Sequence, residues 1–416
     1  MRKYALAWTI LAAGLGLVGA LRSGADAAVV SPPDAAAAEA AASGSSPAGV
    51  QSPWAFDPIL RLIGADLGVG YRGLSLIPGE QTTFWVYLGG GYEGEHYYRD
   101  ATGNLLSPGE IGSSGGPLAN ADPTFNRIEA AWRLGIEQGF VWNPRTSTSL
   151  WEAFFFYRGR YDLNRAAAGS LLTTPTLSIL PDRDSSILNT FQAGLGYDDL
   201  LTTQHRTRNG TSAEMTAEWG PPWFFNTIQG ESDFVRFNGT FTWFFPLFDA
   251  APEARLNLFS VYLGEYFSAD YAIGLNGTPV PLSIRQTFGG RNQDTGLGDQ
   301  VRGVDKAAYD TNLKAVNNLE VRANLLAIPM PGFLAGLVPV VFPGVLAYFD
   351  CGVYDQVGEQ GISSPSTGFV ASTGAGVFVE VPGFGSLLAY VEYRLDGQNS
   401  AGDRVRLFVL EFGMQF

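Results

Sequence analysis

Residues 404–416 read RVRLFVLEFGMQF and close the chain on an aromatic residue. In an extended strand, successive side chains point to opposite faces. One face would then carry Phe408, Leu410, Phe412, Met414 and Phe416, and the other Leu407, Val409, Glu411, Gly413 and Gln415. A soluble sheet with such an apolar edge would invite aggregation. The pattern therefore predicts a strand of a transmembrane β-barrel, with apolar groups toward lipid and mixed groups toward a lumen.

The same alternation runs back along the chain to about residue 60 and predicts an all-β, antiparallel barrel. Many of the candidate strands have about 10–16 residues, which suits a tilted crossing of a membrane. Fourteen are readable: 65–76, 82–92, 127–141, 149–163, 189–200, 210–219, 232–248, 254–267, 282–290, 315–326, 344–354, 368–381, 386–395 and 404–416.

One stretch, residues 325–349, carries no charge and is long enough to span a membrane as a helix. It also contains Pro329, Pro331, Pro339 and Pro343, each of which would remove a helical hydrogen bond. We therefore interpret it as the end of one strand, a long turn and the start of the next.

The composition limits the possible functions. The 416 residues include 26 Lys and Arg against 40 Asp and Glu, and only 16% are charged, although the mean hydropathy is +0.05. The acidic balance makes a nucleic-acid partner unexpected. The single cysteine excludes an intramolecular disulfide. His96 and His205 are isolated, and no nucleophile elbow or phosphate-binding loop is present, so we expect neither an enzyme nor a cofactor.

The N-terminus predicts export. Arg2 and Lys3 precede an apolar run, and Ala25-Asp26-Ala27 has the form of a cleavage site, so residues 1–27 are interpreted as a signal peptide. The alternative is an uncleaved membrane anchor. Residues 28–59 are rich in Ala, Ser, Pro and Gly, which predicts a disordered periplasmic tail. The barrel then comprises residues 60–416.

Four motifs in the second half follow one another in a recognisable order. They are Phe288-Gly289-Gly290 with Val301-Arg302-Gly303, then Asn318-Leu319-Glu320-Val321-Arg322, then Tyr348-Phe349-Asp350-Cys351-Gly352, and finally Gly374-Ala375-Gly376 with Pro382-Gly383. Together they resemble the bacterial surface antigen superfamily, the outer-membrane assembly and two-partner-secretion barrels of the BamA and TamA type. Val304 stands where that family usually has an aromatic residue. The resemblance covers roughly residues 190–416.

The resemblance implies that a loop folds into the lumen and that Arg302 pairs there with Asp350, with Glu320 as a second acceptor. Alternation independently predicts that Asp350, Asn318, Glu320 and Arg322 face inward, because the residues between them are mostly apolar. The alternative is that Arg302 is a solvated loop residue. The resemblance also implies that Phe416, Met414 and Phe412 form a terminal signal read by the barrel assembly machinery.

The family norm implies sixteen strands, which we adopt over the fourteen readable ones. Counting back from a periplasmic C-terminus through those fourteen would put segment 93–126 on the periplasmic side, where long loops are unusual. This conflict indicates a missed strand, and residues 171–179 are the candidate.

The expected role is assistance in the insertion or translocation of polypeptides or membrane components, without a covalent reaction. The expected partners are outer-membrane lipid, lipopolysaccharide and a periplasmic protein. The periplasmic protein is expected because the tail is too short to form the docking domains that the family uses to capture substrates. The alternatives are a passive pore or structural barrel, and a soluble lectin-like sandwich.

Overall fold

The computed structural model describes most of the barrel region of the chain. The described residues are 53–61, 64–78, 80–96, 124–144, 146, 148–166, 185–202, 208–226, 232–250, 259–278, 280–291, 296–304, 311–331, 340–356, 366–381, 385–395 and 405–412. The predicted signal peptide, most of the predicted tail, the candidate strand at 171–179 and the last four residues lie outside this set. The signal peptide and the tail up to residue 52 therefore stay predictions.

The fold is an antiparallel β-barrel, which confirms the predicted fold class. The described residues form sixteen strands, and fourteen of these follow one another in a continuous antiparallel path. The fourteen are β1 Trp54–Arg61, β2 Gly64–Leu74, β3 Thr82–His96, β4 Thr124–Asn143, β5 Thr148–Ala166, β6 Ser185–Asp198, β8 Arg208–Gly220, β9 Phe234–Asp249, β10 Ser260–Gly274, β11 Leu313–Asn324, β13 Val340–Gln356, β14 Ser366–Val381, β15 Gly385–Arg394 and β16 Val405–Phe412.

The other elements are short. Strands β7 (Leu201–Thr202) and β12 (Ile328–Pro329) have two residues each and pair with β8 and β13. Helices α1 (Leu282–Gln286) and α2 (Leu297–Gln300) lie between β10 and β11. No helix among the described residues is long and apolar enough to cross a membrane. The proline-rich segment is thus divided as predicted, since β11 ends at Asn324 and β13 begins at Val340.

The predicted strand at 282–290 is wrong. Residues 282–286 form α1, and Ile284 is only 5% exposed because it packs in an interior cluster with Phe234, Ala272 and Val280. The apolar spacing that resembled strand alternation reflects burial of this helix. The segment therefore belongs to the loop that follows β10.

One strand was missed, in the region predicted to be tail. Strand β1 begins at Trp54 and pairs along its whole length with β2, so the tail cannot extend to residue 59. Its alternation is clear in the structure, where Ala55 is buried while Trp54 and Phe56 are exposed. Pro53 precedes this strand and Pro58 lies within it. Proline cannot donate a ladder hydrogen bond and therefore weakens the sequence signal of a strand, although it is tolerated on an edge strand.

These two corrections leave the number of long strands at fourteen, but they change the end of the sheet at which each connection before residue 282 lies. With β1 added and 282–290 removed, β3 ends and β4 begins at the same end of the sheet as the β10–β11 connection. The β11–β13 connection and the end of β16 lie at the opposite end. The conflict over segment 93–126 therefore disappears, and no further strand is needed to explain it.

The two faces of the barrel wall differ in chemistry. Along β10, every second residue from Ser260 to Ala272 is buried, whereas intervening residues such as Phe267 and Tyr271 are exposed. The buried rows carry the charged residues discussed below, and the outward rows are mainly apolar. This is the alternation of a barrel whose polar side chains face a lumen.

The terminal strand departs from strict alternation. The pairing of β16 with β15 shifts register between Tyr390 and Glu392, which inserts an extra residue on β16. Leu407 is therefore 66% exposed rather than directed inward as predicted, while Val409 packs on the interior cluster that contains Tyr390. Phe412 ends the strand, and Met414 and Phe416 lie beyond the described residues.

Candidate functional site

Arg302 enters the barrel and contacts Asp350 on β13. The guanidinium donates through Nε to Oδ2 at 2.7 Å and through Nη2 to Oδ1 at 2.9 Å. The backbone N–H of Arg302 also donates to Oδ2 at 3.2 Å. This two-point contact fits the planar guanidinium, which a lysine could not reproduce. The alternative of a solvated Arg302 does not describe this structure, because its side chain is 1% exposed.

Glu320 and Arg322, on neighbouring β11, extend the pair into a network of four charges. Glu320 Oε1 lies 2.7 Å from Arg302 Nη2, and its other oxygen accepts a hydrogen bond from Arg322 Nε. The Tyr348 ring lies under the Arg302 guanidinium, 3.5 Å from ring centroid to Cζ. Burial opposes the charged form of Arg302, but Asp350 and Glu320 outweigh it and raise its pKa above the ordinary value.

Local sequence explains why Arg302 is carried inward. Phe288, Leu297, Val301 and Val304 flank it along the loop and are at most 6% exposed, and they pack with Tyr266, Val316 and Val370 of the wall. Gly303 has a φ of +83°, a conformation that glycine adopts without strain. The loop thus buries an apolar cluster at the position where its arginine meets the wall.

The other motif residues support this packing. A Cβ on Gly352 would lie 2.7 Å from Leu297 Cδ1, so the glycine makes room for α2. Asn318 Nδ2 donates to the Gln300 carbonyl at 2.6 Å. Gly374 and Gly376 face Tyr348 and Tyr390, and a Cβ on either would come within 2.6 Å of a backbone oxygen.

A second charged cluster, not predicted from the sequence, holds the start of the loop. Arg236 Nε donates to Asp270 Oδ1 at 2.9 Å, and Lys314 Nζ lies 3.1 Å from Oδ2 of the same carboxylate. The Gly289 N–H also donates to Asp270 at 2.9 Å. The inward alternation of Asp270 and Lys314 was a signal that could have identified this cluster.

A third cluster, also missed, holds the loop to a different part of the wall. Arg291 forms ion pairs with Glu137 on β4, Glu152 on β5 and Glu214 on β8. The carbonyl of Gly290 accepts from Gln192 Nε2 at 2.9 Å and from Arg158 Nη1 at 3.2 Å. Arg133, stacked on Tyr87, donates to the carbonyl of Arg291.

The three clusters connect one loop with strands from β4 to β13. Strands β4 and β5 are distant from β13 along the sheet, and Arg291 contacts the first two while Arg302 contacts the last, so the described parts of the loop are bound to separated parts of the wall. Its described backbone and side-chain groups are bound by charged and polar side chains of the wall, beside the apolar cluster around Val301. The arrangement can therefore obstruct the lumen and hold the loop in one position.

The described residues contain no group of three or more His, Cys, Asp or Glu side chains arranged to hold a metal ion. The charged side chains at the site are paired with one another or with the loop. The geometry supports a structural role of these charges, in which they bind a segment of the same chain.

Comparison with known proteins gives a limited result. No family model matches the chain, and no curated protein matches it. Among solved structures, it is similar to BamA from Haemophilus ducreyi lacking POTRA domains 1-3, with 12% identity and a TM-score of 0.47. That match covers 86% of this chain and 63% of the BamA chain, so this chain spans less than two thirds of that structure.

Proposed function

We propose that this protein is an outer-membrane β-barrel with an obstructed lumen, which assists the insertion or translocation of polypeptides or membrane components. The main observation in support of this proposal is that one loop is bound inside the lumen by charged clusters on separated parts of the wall. A polar interior and an apolar outer surface fit a barrel in lipid. A substrate would then be handled without a permanently open channel, and no covalent chemistry is required.

The second candidate is a passive pore or structural barrel, which the polar lumen would allow. The two candidates differ in conductance. Purified protein in a planar bilayer should show little steady conductance, and deletion of residues 287–304 should open a stable channel. A large steady conductance of the unmodified chain would favour the passive pore.

Assistance of insertion needs its own test. Vesicles that contain the protein should accelerate the membrane insertion of a small unfolded outer-membrane barrel, relative to empty vesicles and to vesicles containing an unrelated porin. Equal rates in all three preparations would contradict the proposed activity. The protein should also float with these vesicles in a density gradient. On a detergent gel, its unheated and heated samples should migrate differently, because a stable barrel resists detergent until heated.

The partners follow from the same proposal. They are outer-membrane lipid and lipopolysaccharide around the apolar face, a periplasmic protein near the chain termini, and the barrel assembly machinery during insertion. The terminal residues Phe412, Met414 and Phe416 would be the signal for that machinery. Deletion of Phe416 should lower the amount of heat-modifiable protein in the outer membrane, and unchanged amounts would remove Phe416 from this role.

A further inference from the structure

The outward face of β10 contains a carboxylate within an apolar row. From Val261 to Ile273 the outward residues are Val261, Leu263, Glu265, Phe267, Ala269, Tyr271 and Ile273. On the adjacent strands, Trp243 of β9 and Leu319 of β11 are the register partners of Glu265. Glu265 therefore has apolar outward neighbours along β10 and at its register positions on both adjacent strands.

The position of Glu265 along the strand places it away from the edge of this row. It lies five residues from the start of β10 at Ser260. A strand rises about 3.3 Å per residue and tilts by about 45°, so the carboxylate lies about 12 Å from that end along the barrel axis. In a membrane, an ionisable group at such a depth is costly unless it has a partner.

One partner is present in the chain. Asn317 Nδ2 donates to Glu265 Oε1 at 3.0 Å, and Asn317 is on the outward face of β11 because the next residue, Asn318, is fully buried in the lumen. The pair leaves hydrogen-bonding capacity unused. An amide has a second N–H, and an ionised carboxylate can accept several more hydrogen bonds.

The surface beside this pair allows close approach. Gly239, Ala269 and Ala315 lie side by side on β9, β10 and β11, as successive register partners. A Cβ on Gly239 would have no heavy atom within 4 Å, so the space above it is open. Small residues and polar contacts drive the association of transmembrane helices, because lipid gives no hydrophobic force between them, and the same argument applies to two apolar barrel walls in lipid.

We propose that these five residues, named here the Glu265 face, form the contact between two copies of this chain in the membrane. The second N–H of Asn317 in one copy would donate to Glu265 of the other copy, and the reverse contact would form by symmetry. An acceptor and a donor side by side make the surface self-complementary, as a two-fold interface requires. The inference rests on the proposed membrane insertion of the barrel.

The test uses the whole mature chain in lipid nanodiscs, with the number of copies per disc determined by mass. Two copies are expected at protein concentrations where a Glu265→Leu or Asn317→Leu variant is at least tenfold less dimeric. Glu265→Gln keeps an acceptor and should remain within about threefold of the unmodified chain. Thr211→Leu is the matched control, because Thr211 lies on β8 in the same register row, outside the Glu265 face.

A second readout uses the chain's single cysteine. Cys351 on β13 is the register partner of Asn317 and is partly exposed. A flexible bis-maleimide should therefore link two copies through Cys351. The yield of linked dimer should fall in both leucine variants, and Cys351→Ser, which has no thiol, should give none.

Three results would overturn the inference: single copies in the discs, a dimer that neither leucine variant weakens, or a mass that shows a different protein bound at this face. Each can occur while the barrel floats with vesicles and keeps its heat-modifiable mobility, so the proposed function would survive. Failure to float at all would instead remove the proposed function and the membrane argument with it.

Discussion

The two ends of the lumen loop are attached by the same chemistry in different surroundings. At one end, Arg302 is 1% exposed and its partners Asp350 and Glu320 are 0% exposed. At the other end, Arg291 is 21% exposed and its glutamates are 16–23% exposed. A buried ion pair that loses one member is left with an uncompensated charge, whereas a hydrated pair is screened. We therefore expect a fixed attachment at Arg302 and an adjustable one at Arg291.

The two sites also differ in how the charges are arranged. Asp350 is contacted by two guanidinium nitrogens and a backbone N–H of the same residue, so its position fixes both the side chain and the chain direction. Arg291 instead shares one guanidinium among three glutamates from three strands, and its backbone N–H donates to one of them, Glu214, at 2.6 Å. Changes at the two ends should consequently have unequal effects.

The largest effect is expected at the buried pair. Arg302→Ala and Asp350→Ala should each lower the free energy of unfolding by about 3–5 kcal/mol, because each leaves a charge in a dry site. The double variant should lose less than the sum, with a coupling energy of about 0.5–3 kcal/mol. The measurement is the temperature at which the heat-modifiable band converts, together with protease cleavage between residues 291 and 315.

Arg302→Lys is the control that keeps the positive charge but removes the planar guanidinium. It should restore little stability, since lysine cannot make the two-point contact. Strictly additive effects of a few tenths of a kcal/mol would mean that Arg302 behaves as a solvated residue, and the difference between the two ends of the loop would vanish.

A smaller effect should follow from filling the space under the loop. Gly352→Ala places a Cβ 2.7 Å from Leu297 and 3.1 Å from Val370, so the loop must move or the wall must deform. Overpacking of this kind costs about 1–3 kcal/mol. Gly239→Ala, compared as single copies in detergent so that the proposed contact between copies plays no part, is the matched control, because Gly239 is also a strand glycine but has open space. Equal conversion temperatures for the two variants would show that α2 is not packed against Gly352.

The sequence was informative wherever the deciding pattern was local. Alternation gave thirteen of the fourteen long strands, and it placed Asp350, Glu320 and Arg322 on the inward rows. The pairing of Arg302 with Asp350 needed the family resemblance in addition, because 48 residues separate them.

The contacts of Arg291 with the wall could not be predicted from local sequence pattern. Glu137, Glu152 and Glu214 lie on three strands, and they meet Arg291 only because the sheet curves so that β4, β5 and β8 face the loop after β10. No local spacing encodes that curvature. The assignment of 282–290 as a strand hid the same fact, since it moved the start of the loop out of the lumen.

The smallest change in stability, with a clear change in conductance, is expected for Arg291→Ala. The site is partly hydrated, so the loss should be about 1 kcal/mol or less. The loop would stay fixed at Asp350, while its other end would lose three ion pairs and be held by the backbone hydrogen bonds of Gly290 and residue 291, so that it detaches from the wall more readily. Planar-bilayer recordings should then show brief openings that the unmodified chain lacks.

Raising the salt concentration should produce openings in the unmodified chain as well, because screening weakens exposed pairs more than buried ones. Arg406→Ala is the control, since Arg406 is 37% exposed and pairs with Glu392 on β15, whereas the glutamates around Arg291 lie on β4, β5 and β8. If Arg291→Ala were as silent as Arg406→Ala at every salt concentration, Arg291 would not hold the loop across the lumen. If it were instead as damaging as Asp350→Ala, both ends of the loop would be equally fixed.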